Sequence, residues 1–170
     1  MTTIIYDKYN KQLVADTRWS FKFSDKLGKK YLIFVDDCGF DKIADGKNTA
    51  LLTAGNGKFI AMWRKWWFEG RDKSKIPETG NNNETLINLL IVDKKSNSVI
   101  FHAGEKLAHY CVDSNELLGV FAGSGAIPAA DCWGENRCGK TAIETSSKRD
   151  IHTSQDIKWV DFSSVKTNIT

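Results

Sequence analysis

Thr2, Asp16, Lys42 and Gly55 are residue types whose chemistry fits together. A threonine at a chain terminus carries a nucleophile and a base on one residue: its Oγ attacks a carbonyl while its own α-amine takes the proton. Thr2 follows the initiator methionine directly, and its side chain is small enough for methionine aminopeptidase to expose it by removing one residue. A retained Met1 turns that amine into an amide and removes the base. The amine must be largely neutral at about pH 7, whereas a free α-amine titrates at about 7.7–8. A nearby ammonium lowers that value by like-charge repulsion, and a carboxylate must hold the ammonium in place. A backbone N–H in a glycine turn must face the charge that develops on the attacked carbonyl oxygen. Asp16 at the end of a β-rich run, Lys42 before an apolar turn and Gly55 at the end of another run offer these parts in order.

The elements that must position them follow from periodicity. Thr3 to Tyr6 and Gln12 to Ala15 are short β-rich runs around a polar turn, which predicts a hairpin. Trp19 to Phe23 alternates apolar and polar residues as a half-buried strand does, and Tyr31 to Val35 is a continuous apolar run after a turn at Gly28. Thr49 to Ala54 is a further strand, halted by Gly55-Asn56-Gly57. Phe59, Met62, Trp63, Trp66 and Trp67 recur at helical spacing and predict one apolar face of a helix. Basic residues interleaved with these aromatics also fit stacking on RNA, but the helical period favours a stripe facing the core. Leu86 to Val92 and Ser98 to Ala103 predict a second hairpin, with Leu107 to Cys111 and Leu118 to Ala122 extending the sheet. Two helices, one through Ala126 to Ala130 and one through Lys140 to Arg149, precede a closing strand at Ile157 to Phe162. Hairpins without βαβ spacing predict an α+β fold, in which two stacked antiparallel sheets with helices outside would bury the aromatics.

Composition narrows the function classes. The chain of 170 residues fits one domain, 1–170, and its net charge of +3 makes no case for nucleic acid or a membrane surface as a partner. No run approaches the roughly 20 apolar residues that span a bilayer, and the start lacks the pattern of a secretory signal, so a cytoplasmic protein is expected. Cys38, Cys111, Cys132 and Cys138 show no CxxC spacing, and His102, His109 and His152 stand at no metal-site distance from them. Neither a metal nor another cofactor is expected. Gly134 to Thr141 matches the phosphate-loop pattern GxxxxGK[ST] at every position. The residues before it do not read as a central strand and too few follow for a parallel sheet, so the match reads as an inter-helix turn.

At Thr2-Thr3-Ile4-Ile5, Ala15-Asp16-Thr17-Arg18, Lys42-Ile43, Thr53-Ala54-Gly55, Gly123-Ser124-Gly125 and Asp150 with Thr153, the chain resembles the proteasome β-type and HslV-like peptidases, N-terminal threonine hydrolases. The resemblance implies a four-layer αββα sandwich and amide hydrolysis. It makes Thr2 the nucleophile and base, with Lys42 tuning the amine and Asp16 orienting Lys42. Gly55 N–H becomes the oxyanion donor, and Ser124, Asp150 and Thr153 support the amine and its proton transfers. By position in the family's pocket, Trp19, Phe40, Ala44, Thr53 and Gly57 would shape the cavity before the scissile bond. It further implies a homo-oligomeric ring that hides its sites, peptide or unfolded-protein substrates and an ATP-dependent unfoldase as partner. A catalytically silent homologue acting as an assembly or binding protein is the alternative. The stretch between Asp16 and Lys42 is longer than the family's, which leaves Lys47, and less readily Lys29 or Lys30, as rivals of Lys42. Asn56 stands where a second glycine is common, and Thr153-Ser154-Gln155 replaces a serine-glycine-glycine.

Overall fold

The computed structural model describes residues 2–39, 41–77, 87–104, 107–111, 116–164 and 166–169. Strands β1 (Thr3–Asp7) and β2 (Gln12–Asp16) form the first hairpin, which pairs Ile4 with Ala15 and Ile5 with Val14. They sit at the middle of a six-stranded antiparallel sheet ordered β12-β11-β2-β1-β10-β9, completed by β9 (Leu107–Cys111), β10 (Leu117–Gly123), β11 (Ile157–Asp161) and β12 (Lys166–Thr167). A second sheet has the order β5-β6-β7-β8, from β5 (Ile43–Asp45), β6 (Thr49–Gly55), β7 (Ile87–Asp93) and β8 (Ser98–Ala103). The residues after Lys42, read from sequence as an apolar turn, are therefore strand β5, which pairs Ile43 with Leu52.

Alternation on these strands builds three apolar clusters, because successive side chains point to opposite faces. Ile4, Tyr6, Leu13 and Ala15 from the first sheet meet Ile43, Leu52, Ala54, Leu90 and Val92 from the second. The opposite face of the first sheet, with Ile5, Val14 and Phe121, packs on Ala129, Trp133, Ala142 and Ile143 of helices α2 (Ala126–Asn136) and α3 (Gly139–Ser147). The outer face of the second sheet packs Leu51, Leu89 and Ile91 on Ile60, Trp63 and Trp67 of helix α1 (Gly57–Phe68). The buried stripe of α1 is thus offset from the one that spacing suggests: Ile60 joins it, while Met62 is exposed. Among the described residues no helix is long and apolar enough to cross a membrane.

Among the described residues, strands β3 (Trp19–Ser24) and β4 (Lys30–Val35) pair only with each other in a two-stranded ribbon. Alternation at Trp19 to Phe23 predicts a half-buried strand, yet the outer residues of both strands are exposed. Alternation marks a potential interior face; it does not say that another sheet covers it.

The phosphate-loop look-alike joins α2 to α3 directly. Arg137 takes a left-handed conformation as it ends α2, Cys138 opens α3, and Lys140 Nζ lies 3.8 Å from the centre of the Trp159 ring.

Candidate active site

Pairing across the first hairpin, with Ile4 opposite Ala15, carries the start of β1 to Asp16 at the end of β2, and Thr2 lies one residue ahead of β1. Lys42 reaches the same place because Ile43, next to it on β5, is buried against Ile4 and Ala15 between the sheets. The Lys42 ammonium has three donors. They go to Asp16 Oδ1 at 3.0 Å, to the Arg18 carbonyl at 2.7 Å and to Thr2 Oγ1. The Thr2 hydroxyl in turn donates to Asp16 Oδ1. The Asp16 carboxylate is held by three backbone N–H groups, from Thr3 at 2.7 Å, Arg18 at 3.0 Å and Ser154 at 3.2 Å. Thr2, Asp16 and Lys42 are 2%, 1% and 3% exposed. Burial pushes the Lys42 pKa below the usual lysine value, against the opposing effect of the Asp16 carboxylate. A carboxylate, an ammonium and a hydroxyl thus converge in a buried site.

A second cluster lies on the other side of the Thr2–Thr3 backbone. Ser124 N donates to Thr2 O at 3.0 Å, while Ser124 Oγ donates to Asp150 Oδ2 at 2.5 Å. Thr153 Oγ1 donates to the same carboxylate oxygen at 2.8 Å and lies 2.7 Å from Thr3 Oγ1. Burial by itself raises the Asp150 pKa, but the hydroxyls of Ser124 and Thr153 and the His152 N–H outweigh it and hold the carboxyl below the usual range. Glycine is required in this turn for steric reasons. Gly123 has φ of 100°, and a Cβ there would overlap the Thr2 carbonyl; a Cβ at Gly125 would overlap the hydroxyls of Thr3 and Ser146.

Gly55 closes β6 with φ of 124°, and Asn56 then caps α1 by accepting from Lys58 N at 3.0 Å. Strand β6 packs against β1, and Gly55 lies two residues past Thr53, whose N–H meets the Lys42 carbonyl. Of the residues expected to shape a pocket, Trp19 places its ring 5.8 Å from Lys42 Nζ and against Gly57, where a Cβ would come within 3.3 Å of the ring. Thr53 is buried with its N–H and hydroxyl both donating to the Lys42 carbonyl, at 2.9 and 3.2 Å, and Ala44 is buried beneath α1. Phe40 and Met1 lie outside the described residues. Lys47 instead borders a 310 Å³ cleft with Lys94 and Lys166, and Lys29 sits at the ribbon tip over the Tyr31 ring at 5.4 Å.

Sequence reasoning did not single out Thr3, Arg18 or Ser154. Arg18 carries the clearest signal, since it stands two residues past Asp16, where alternation returns the chain to the same side. Its guanidinium forks onto Asp36 at 2.7 and 2.8 Å and donates to the Ile151 carbonyl at 2.9 Å. No group of three or more His, Cys, Asp or Glu side chains among the described residues is arranged to hold a metal ion.

No protein-family model matches the chain, and no curated protein matches it in sequence. A solved structure does: eukaryotic HslV from Trypanosoma brucei superposes with a TM-score of 0.50 over 93% of this chain and 97% of its own, at 12% identity. At that identity the likeness establishes architecture and not activity. The chain has a proteasome- and HslV-like fold, a mixed α/β architecture of antiparallel sheets with three α-helices among the described residues.

Proposed function

We propose that this chain is a threonine-type peptidase that works through Thr2 once Met1 has been removed. The observation that carries the reading is the buried Lys42–Asp16 pair converging on the Thr2 hydroxyl at the chain start. Thr2 Oγ attacks the scissile carbonyl carbon, and its proton passes to the Thr2 amine. The oxygen that gains charge is met by the Gly55 N–H. The C–N bond then breaks, the amine proton leaves with the departing peptide amine, and an ester remains on Thr2 Oγ. Water, giving a proton to the same amine, cleaves the ester and restores the hydroxyl. Lys42 keeps the amine largely neutral by like-charge repulsion, Asp16 orients Lys42, and Ser124, Asp150 and Thr153 support the amine from the other side.

In this reading residues 1–170 form a single domain, and the three apolar clusters are the interiors of a four-layer αββα sandwich. Trp19, Phe40, Ala44, Thr53 and Gly57 shape the pocket for the residue before the scissile bond. The sites sit inside a homo-oligomeric ring that admits peptides or unfolded chains, with an ATP-dependent unfoldase as feeder.

The test joins N-terminal mass spectrometry of the protein from its native source with turnover of fluorogenic peptides. A chain lacking Met1 that hydrolyses them, and whose Thr2→Ala variant assembles normally without activity, supports the reading. Unchanged activity in Thr2→Ala removes it. Uniform retention of Met1 with no turnover favours the silent homologue.

A further inference from the structure

Strand β5 follows Lys42 and ends at Asp45, and β11 starts at Ile157, opposite Asp16, and ends at Asp161. Both strands therefore run away from the Thr2 site toward the other edge of their sheets. There a cleft of 310 Å³ is lined from both sheets. The second sheet contributes Lys47 from the β5–β6 turn and Lys94 and Lys95 from the β7–β8 turn, while the first sheet contributes Lys166 from β12. The two turns are tied together where Lys94 N donates to the Asn48 carbonyl at 2.8 Å. Val160 and Phe162 give the wall an apolar part and also belong to the cluster between the sheets. Asp45 stands three residues beyond Lys42, about 10 Å along the strand, so the cleft is a place separate from the candidate active site.

Four lysines here face two carboxylates, and both carboxylates are already engaged. Asp45 Oδ1 holds Lys94 Nζ at 2.8 Å. Asp161 is taken up by its own turn, accepting from Ser163 N at 2.9 Å, Ser163 Oγ at 2.6 Å and Ser164 N at 3.2 Å. Among the described residues neither Lys47 nor Lys166 joins an ion pair. The cleft thus holds a surplus of two positive charges, most of the net +3 of the chain. Like charges drawn together from two sheets repel, and a bound anion relieves that repulsion. The volume lies at the small end of ligand pockets, roughly 300–1,000 Å³, which suits a small molecule better than a polymer. The lining has no arginine and so no planar fork for a carboxylate, whereas lysine ammonium groups hold phosphate as point charges.

We propose that this cleft binds a small organic diphosphate. Its two phosphate groups sit among Lys47, Lys95 and Lys166, with Lys94 held behind them by Asp45, and its ring or other apolar body lies against Val160 and Phe162. Such a ligand bridges β12 of the first sheet to the β5–β6 and β7–β8 turns of the second, so it clamps the sheets at the edge away from Thr2. The proposal needs neither the Thr2 nucleophile nor removal of Met1, and it stands or falls apart from the peptidase reading.

Calorimetric titration of the full chain with ADP, inorganic pyrophosphate and a short oligoribonucleotide tests this. ADP is expected to bind saturably, with pyrophosphate at least tenfold weaker for want of a body to rest on the apolar wall. Lys47→Glu combined with Lys166→Glu, two exposed positions on different sheets, should weaken ADP at least tenfold. Lys140→Ala, in the phosphate-loop look-alike, should leave ADP affinity unchanged. No saturable ADP binding, or an affinity that the charge reversals do not touch, overturns the proposal. So do pyrophosphate binding as tightly as ADP and the oligoribonucleotide binding more tightly than either. Hydrogen exchange on the wild type gives a reading that does not depend on a variant folding. ADP should slow the amides of 46–48 and 94–97 at least tenfold, and protection at 134–141 instead overturns the proposal. Peptide turnover without ADP binding would remove this site and leave the peptidase reading intact, whereas ADP binding without turnover would do the reverse.

Discussion

At the scale of single residues, Lys42 combines two demands that oppose each other. An ammonium is costly to bury, and here it is tolerated because Asp16, the Arg18 carbonyl and the Thr2 hydroxyl take up all its donors. Lys42→Met keeps the volume but leaves the Asp16 carboxylate buried without its partner. Breaking a buried pair from one side costs about 3–5 kcal/mol, so the variant should melt well below wild type as well as losing peptidase activity by at least about 100-fold. A normal melting temperature would show that Asp16 is stabilised mainly by the three backbone N–H groups. Asp150 makes a different prediction. Its folded pKa lies below the unfolded value of about 3.9, so its contribution to stability is complete above that pH and is lost as pH falls toward the folded value. Below about pH 4, wild type should therefore lose stability more steeply than Asp150→Asn, as followed by chemical denaturation at stepped pH. Parallel curves for the two proteins would remove Asp150 as a source of acid sensitivity. That Thr2, Asp16 and Lys42 would meet was legible because few residue types suit the chemistry proposed for them. Thr3, Arg18 and Ser154 were not, because they contribute through backbone groups or to neighbours distant in sequence.

At the scale of elements, hairpins and helices were readable wherever a face is buried. The three-residue β5 was not, since it is too short to show alternation and exists by pairing with β6. The offset of the α1 stripe has a similar cause: which side of an aromatic-rich helix faces inward is chosen by the sheet it packs on, and Ile60 fits there as well as the tryptophans. Gly123 is an element-level requirement, for it lets β10 end against the first residue of the site. Gly123→Ala imposes a left-handed conformation on a residue with a Cβ, at a cost of about 1–3 kcal/mol, and forces the Thr2 carbonyl to move. Loss of both melting temperature and peptide turnover is expected, and retention of full turnover would show that Thr2 tolerates displacement.

At the scale of the whole molecule, the order of strands could not be read from the chain, because periodicity reports faces and not neighbours. Pairing β1 with β10 joins Thr3 to Gly123 across most of the sequence, and β2 pairs with the later β11. Contacts of such separation slow folding, since the loop must close before the contact forms. The central position of β1 therefore has a consequence in time. Thr2 can meet Ser124, and Thr3 can meet Thr153, only after nearly the whole polypeptide has been made and folded. A ribosome-bound or half-folded chain holds its threonine without the second cluster, so the reactivity proposed for Thr2 would arrive together with the finished sheet and never ahead of it.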